Sequence, residues 1–186
     1  MRKNFGARPY IYPQPVFIIG TYDEDGTANA MNAAWGGVAG SNKVSMSLSP
    51  GHKTVKNILA RKAFTISMAD AAHVVEADYV GIVSGNEVPD KLARAGFTTF
   101  QSEFVDAPLI EELPLGLECK LVSYDASTHL MIGEVVNVCA DERILDANGM
   151  IDPTKLEPII FDQPNSAYYK LGEKVGNAFD DGARLK

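Results

Sequence analysis

The 186 residues include only two cysteines and three histidines, the side chains that build most thiolate and imidazole metal sites. Cys119 and Cys139 have no CxxC partner, and one pair of cysteines makes no disulfide framework, so both read as core residues. His52, His73 and His129 lie too far apart in sequence to suggest a metal site, and none is expected. No apolar run reaches the ~18 residues of a membrane span. The opening Met1-Arg-Lys-Asn-Phe-Gly6 lacks the apolar core of a signal peptide. An excess of positive charge is missing too: 17 Lys and Arg against 24 Asp and Glu leave a net −7, which argues against a nucleic-acid binder. There is no GxGxxG after the first strand, no GxxxxGK[ST], no GxSxG and no HExxH, so dinucleotide, P-loop, serine-hydrolase and zinc-peptidase readings have no support. Repeats, low-complexity tracts and linkers are absent. What remains is expected to be one cytoplasmic domain over residues 1–186, with neither membrane nor nucleic acid as partner.

What is present reads mostly as strand at both ends with helices between. Val16 to Tyr22 is β-branched and aromatic, and Asp23-Glu-Asp-Gly26 carries the Asp-Gly hairpin signal before a return strand over Thr27 to Ala34. Lys43 to Ser49 alternates, with Val44, Met46 and Leu48 on one face. Thr54 to Lys62 has a helical stripe of Val55, Ile58 and Leu59, and Ala63 to Met68 is strand again. Ala71 to Val83 and Pro89 to Ala95 read as helices, separated by Ser84-Gly85-Asn86 and stopped by Gly96. Leu115 to Tyr124 and Leu130 to Cys139 are long strands joined at Asp125-Ala-Ser-Thr-His129. Leu156 to Phe161, with its proline, is expected at an edge or bulge. Six or seven strands with a helical insertion predict a mainly β fold, a closed or nearly closed barrel.

The segment Asn29-Ala-Met-Asn-Ala-Ala-Trp-Gly-Gly-Val-Ala-Gly40 supplies amide side chains, a flat ring at the only tryptophan and glycines that permit close backbone approach or a barrel bend. Directly after it, Ser45-Met-Ser-Leu-Ser-Pro-Gly-His-Lys-Thr54 turns a strand into a helix through hydroxyls and a basic group. A helix start of that kind suits a phosphate. Lys53 and Thr54 are the first candidates, with Ser47, Ser49 and His52 behind them. A flat polar ring at one end and a phosphate at the other describes flavin mononucleotide (FMN).

The order of these pieces resembles the flavin reductase-like, flavoredoxin family. The resemblance runs from about Pro15 to Gly172 through Asn29-Ala-Met-Asn-Ala-Ala-Trp35, Ser47-Leu-Ser-Pro50, Lys53-Thr54, Phe64-Thr-Ile-Ser67, Pro89-Asp-Lys91, Ala107-Pro-Leu-Ile110, Leu117-Glu-Cys-Lys-Leu121 and Thr128-His-Leu-Met-Ile-Gly-Glu-Val135. It implies an FMN-binding split β-barrel of Greek-key type, a homodimer with FMN near the subunit interface, and hydride or electron traffic through the flavin. It places Asn29, Asn32, Ala33 and Trp35 along the ring and ribityl chain, although many relatives carry a hydroxyl where this chain has Met31 or Ala33. It puts Lys91, at the start of a short helix, beside the flavin, where a cation stabilises the anionic reduced ring. The matching histidine, His129, lies near flavin or nicotinamide in relatives and is a candidate for positioning the donor or lending a proton. Phe161 and Tyr168 are candidates to close the ring pocket. The implied activity is an FMN-dependent oxidoreductase, flavoredoxin-like or an NAD(P)H:flavin reductase, with NADH, NADPH or a redox protein as donor. The alternatives are the flavin-releasing reductase component of a two-component monooxygenase and a flavin-binding module without turnover.

Overall fold

The computed structural model describes all of residues 1–186. In chain order the strands before the first helix are β1 (Gln14–Pro15), β2 (Phe17–Tyr22), β3 (Ala28–Ala33), β4 (Gly36–Val38) and β5 (Lys43–Ser47). Helix α1 (Lys53–Arg61), strand β6 (Ala63–Met68) and helices α2 (Val74–Ile82) and α3 (Lys91–Ala95) fill the middle. Then come β7 (Thr99–Gln101), β8 (Pro108–Ile110), β9 (Leu115–Asp125) and β10 (Leu130–Ala140). A short α4 (Pro153–Leu156), β11 (Ile159–Asp162) and β12 (Ala167–Lys170) complete the regular structure.

Seven strands form one antiparallel sheet in the order β3-β2-β6-β9-β10-β5-β4. Its two edge strands, β3 and β4, are neighbours in the chain, joined only by Ala34 and Trp35. So short a link spans about 10 Å at most, and the sheet must therefore curl until its edges nearly meet. The result is a mainly β, split barrel with a seam at Trp35. The Asp23–Gly26 turn makes the expected hairpin: the Thr27 amide donates to the carboxylates of both Asp23 and Asp25, and Gly26 takes φ 87°.

Strand β2 explains its own apolar run, because both of its faces are covered. Phe17 and Ile19 join Met31, Val44, Met46, Val55, Ile58, Phe64, Ile66 and Met131 inside the barrel. Val16 and Ile18 point the other way, against Ala77 and Val80 of α2, Leu92 of α3 and Ile159 of β11. Cys119 is buried in the barrel core, while Cys139 is only half-buried.

Several expectations are corrected. The Gly36-Gly37 bend is strand β4, paired with Ser45 and Met46. A Cβ on Gly36 would lie 2.6 Å from the Phe17 ring, so that glycine serves packing. The final strand does not begin at Leu156, which closes α4, and it is no edge: β11 sits between β1 and β12 in a separate three-stranded sheet. Pro158 stays outside the ladder, in an isolated bridge with Asp70. Residues 71–73 precede α2 in a turn, where the Asp70 carboxylate accepts from the His73 amide at 2.9 Å. No helix is long and apolar enough to cross a membrane.

Candidate functional site

A cavity of about 340 Å³ opens at the seam of the barrel, lined on one side by β3 and Trp35, and on the other by the start of α1 and the end of α2. Two buried side-chain bonds set the distance between these walls. Asn29 Nδ2 donates to Thr54 Oγ1 at 3.0 Å, tying β3 to the first turn of α1. Asn57 Nδ2 donates to Thr21 Oγ1 at 3.0 Å, tying the middle of the same helix to β2. On the α2 side, Asn32 Nδ2 donates to the Ala77 carbonyl at 2.9 Å.

The start of α1 is uncapped. His52 stands at the cap position without a side-chain hydrogen bond to the helix, and no acidic residue lies in the first turn. The Lys53 and Thr54 amides find no acceptor within the chain, so the helix presents donors and a partial positive charge to the cavity. Lys53 Nζ adds a full charge and is paired with Asp23 at 2.6 Å.

Lys91 opens α3, as expected, but is buried there, with only 3% of its surface exposed. Its Nζ donates to the Val80 and Val83 carbonyls at 3.0 Å each, closing the C-terminal end of α2. Burial, reinforced by the nearby charge of Lys53, pushes its pKa down to about 8. A cation held on carbonyl dipoles in a poorly solvated wall is a ready counter-charge for an anion in the cavity.

The cavity thus brings together Asn29, Asn32, Ala33, Trp35, Ser47, His52, Lys53, Thr54 and Lys91. Four other candidates stand apart from it in the single chain. Ser49 faces solvent and uses its carbonyl to accept from the His52 amide in the turn before α1. His129 is exposed at the β9–β10 turn with φ 62°, though its carbonyl accepts from Leu48, a cavity residue, at 2.8 Å. Phe161 packs on Tyr168 with ring centroids 5.8 Å apart. Tyr168 sits behind the wall, donating from its hydroxyl to Asp78 at 2.8 Å; burial, helped by the Asp78 carboxylate, pushes its pKa up to about 12.

Sequence reasoning missed Gly81 to Gly85, the last residues of α2 and the start of the loop after it, which also line the cavity. A Cβ on Gly85 would fall 2.2 Å from Asn29 Oδ1, and one on Gly81 would fall 2.9 Å from Asn32 Cβ. These are places where only glycine lets the α2 terminus approach β3. The one visible signal was the Ser84-Gly85-Asn86 break between two helices. Conversely Gly37 and Gly40 line a different, apolar depression.

The donor set fits a flavin: lysines and helix-start amides for an anionic end, amide side chains and an aromatic face for a flat polar ring, and glycines that keep the slot open. Groups of His, Cys, Asp and Glu able to hold a metal are absent.

Comparison with known proteins agrees with this geometry. The model of the flavin reductase like domain matches residues 9–161. The structure superimposes on flavoredoxin of Desulfovibrio vulgaris (Miyazaki F) with a TM-score of 0.93 at 42% identity, covering 98% of this chain and 100% of that one. Flavoredoxin from Methanosarcina acetivorans gives a TM-score of 0.87 at 27% identity, covering 100% of this chain and 98% of its own. An uncharacterized protein of Aquifex aeolicus (strain VF5) is 28% identical over 161 residues, 80% of either chain. A split barrel with a flavin-fitting slot at its seam, matched by that domain model over most of its length, places this chain in the flavin reductase-like family of flavin-related oxidoreductases.

Proposed function

We propose that the chain binds FMN in the seam cavity and relays hydride or electrons through it, as a flavoredoxin-like protein or NAD(P)H:flavin reductase. The observation that carries this is the convergence of Lys53, Thr54 and two acceptor-free amides at one end of a cavity whose other wall is Asn29, Asn32 and Trp35. Lys53 and the α1 amides would hold the phosphate. The β3 amide side chains and the Trp35 ring would orient the flat ring system. Lys91 would offset negative charge that develops on reduction. When bound, FMN supplies the redox chemistry itself, taking up two electrons from a donor and yielding them to an acceptor. NADH, NADPH or a redox protein would act as that donor. No side chain is required as a nucleophile.

The test is a visible spectrum of purified protein before and after desalting, followed by anaerobic addition of NADH and of NADPH. A flavin absorbance that survives desalting and bleaches with one nicotinamide is expected. Flavin retained but bleached by neither would move the donor role to a redox protein; bleaching by no reductant at all would leave only a binding module. One observation favours the flavin-releasing reading: Lys53 is already engaged by Asp23 at 2.6 Å, which weakens its hold on a phosphate. Loss of colour on desalting would select that reading.

The chain is further proposed to work as a homodimer. Val38, Val136 and Val138 are exposed and border an apolar depression along β4 and β10 that also takes in Pro15, Phe17 and Leu117. Such a surface with a nearby sheet edge suits a two-fold partner. Light scattering on flavin-loaded protein should give twice the chain mass of 20.1 kDa; a monomer value would refute it.

A further inference from the structure

The phosphate end of the cavity does not stop at Lys53. Lys53 and Gly85 also line a second depression of about 480 Å³, whose other walls include Asp23, Glu24 and Asp25 of the β2–β3 turn and Lys56, Asn57 and Asn86. The turn is pinned there. Arg61, at the end of α1, donates to the Asp23 carbonyl at 2.6 and 3.2 Å and to the Glu24 carbonyl at 3.2 Å, and its guanidinium pairs with Asp106 at 3.0 Å. Asp23 is 14% exposed at its side chain and holds Lys53 Nζ at 2.6 Å. The turn is therefore a fixed acidic wall just beyond the place where a flavin's first phosphate would rest.

From this arrangement we infer that the Asp23–Asp25 turn selects a flavin mononucleotide over a flavin dinucleotide, with Asp23 as the specificity-determining residue. The inference rests on the flavin reading of the adjoining cavity. A dinucleotide continues from its first phosphate into a second phosphate and an adenosine, and the depression that adjoins the Lys53 end of the cavity is the acidic one. Of the two lysines there, Lys53 is already engaged by Asp23, and only the exposed Lys56 is left to face Glu24 and Asp25. A second phosphate would enter against like charge, and its strain could not be relieved by movement of a turn that Arg61 holds at two carbonyls. A mononucleotide ends before the wall and needs only to share Lys53 with Asp23. Riboflavin, without any phosphate, is indifferent to both.

The experiment compares riboflavin, FMN and FAD binding to flavin-stripped full-length protein for the wild type, Asp23→Asn and Asp25→Asn. Asparagine keeps the side-chain oxygen that accepts from the Thr27 amide in either position, so the turn is retained; circular dichroism checks it. The wild type should prefer FMN to FAD. Asp23→Asn should tighten FMN modestly and FAD much more, shrinking the preference about 10–100-fold, the scale expected when a like-charge contact in a binding site is removed. Asp25→Asn should move FAD in the same direction by less, and riboflavin should not respond to either. A preference unchanged in both variants, with FMN still bound better than riboflavin, would overturn the inference and leave the cofactor reading standing. So would a wild type that takes FAD as tightly as FMN. Failure to bind any of the three would overturn the cofactor reading and this inference with it.

Discussion

Lys91→Met tests whether the buried ammonium is retained for function at the expense of stability. The folded protein holds this lysine at a pKa of about 8 against an ordinary value of 10.5, chiefly because burial strips its water. At pH 7 that difference corresponds to about 3 kcal/mol against the folded state, at 1.4 kcal/mol per pH unit. Methionine removes the penalty and fills similar volume, but it leaves the Val80 and Val83 carbonyls without their donor. Each such loss costs about 1–3 kcal/mol, so the two effects oppose each other and the net at pH 7 should lie between a gain of about 1 kcal/mol and a loss of about 3 kcal/mol. The pH dependence separates them. Between about pH 8 and 10.5 the unfolded chain binds a proton at this lysine and the folded chain does not, so stability from this group rises with pH. Wild type should therefore gain about 3 kcal/mol on the variant as pH climbs from below 8 to above 10.5, read from urea unfolding followed by circular dichroism at matched pH. Loss of the cation should also lower the midpoint potential of bound flavin. A stability gap that does not change with pH, or an unchanged potential, would refute the account of Lys91.

Lys53→Ala should weaken FMN binding by roughly 10–150-fold, the value of a hydrogen bond to a charged group at about 1.5–3 kcal/mol, while riboflavin titrations scarcely change; equal losses for both ligands would place Lys53 away from the phosphate. His129→Ala should slow anaerobic flavin reduction by about 10–1000-fold with FMN content matched to wild type, if the histidine assists the transition state; an unchanged stopped-flow rate assigns it to the turn alone. Gly85→Ala places a methyl 2.2 Å from Asn29 Oδ1, so it should displace the α2 terminus and cut flavin binding; a variant that binds like wild type would show that the Asn29 wall is not used.

The local signals in this chain were strong where one short stretch decides its own structure. Ala63–Met68 forms a strand over the expected residues, and the Asp23–Gly26 hairpin needed only its own turn chemistry. The α1 end of the cavity was legible for the same reason, since Ser47, His52, Lys53 and Thr54 come from one short stretch. The far wall was not. Gly81 and Gly85 carry no motif, and their role arises only when α2 swings against Asn29 and Asn32. The burial of Lys91 was not legible, because a five-residue helix has no periodicity to say which face is covered; packing of α3 against the end of α2 decides it. His129 and Phe161 lie away from the cavity, a separation set by the path of the chain that no local pattern records.

The two-residue link across the seam makes Trp35 a strain gauge. A barrel zipped shut would hide its edges in each other and leave no slot; here β3 and β4 stop short, and Ala34 and Trp35 alone must absorb any change in slot width. Trp35 is the only tryptophan of the chain, it is 49% exposed, and it forms part of the slot's lining. Its emission therefore reports on one point of the molecule, the place where a ring would wedge between the edges. The chain carries an intrinsic optical probe of slot occupancy that requires no label and no mutation.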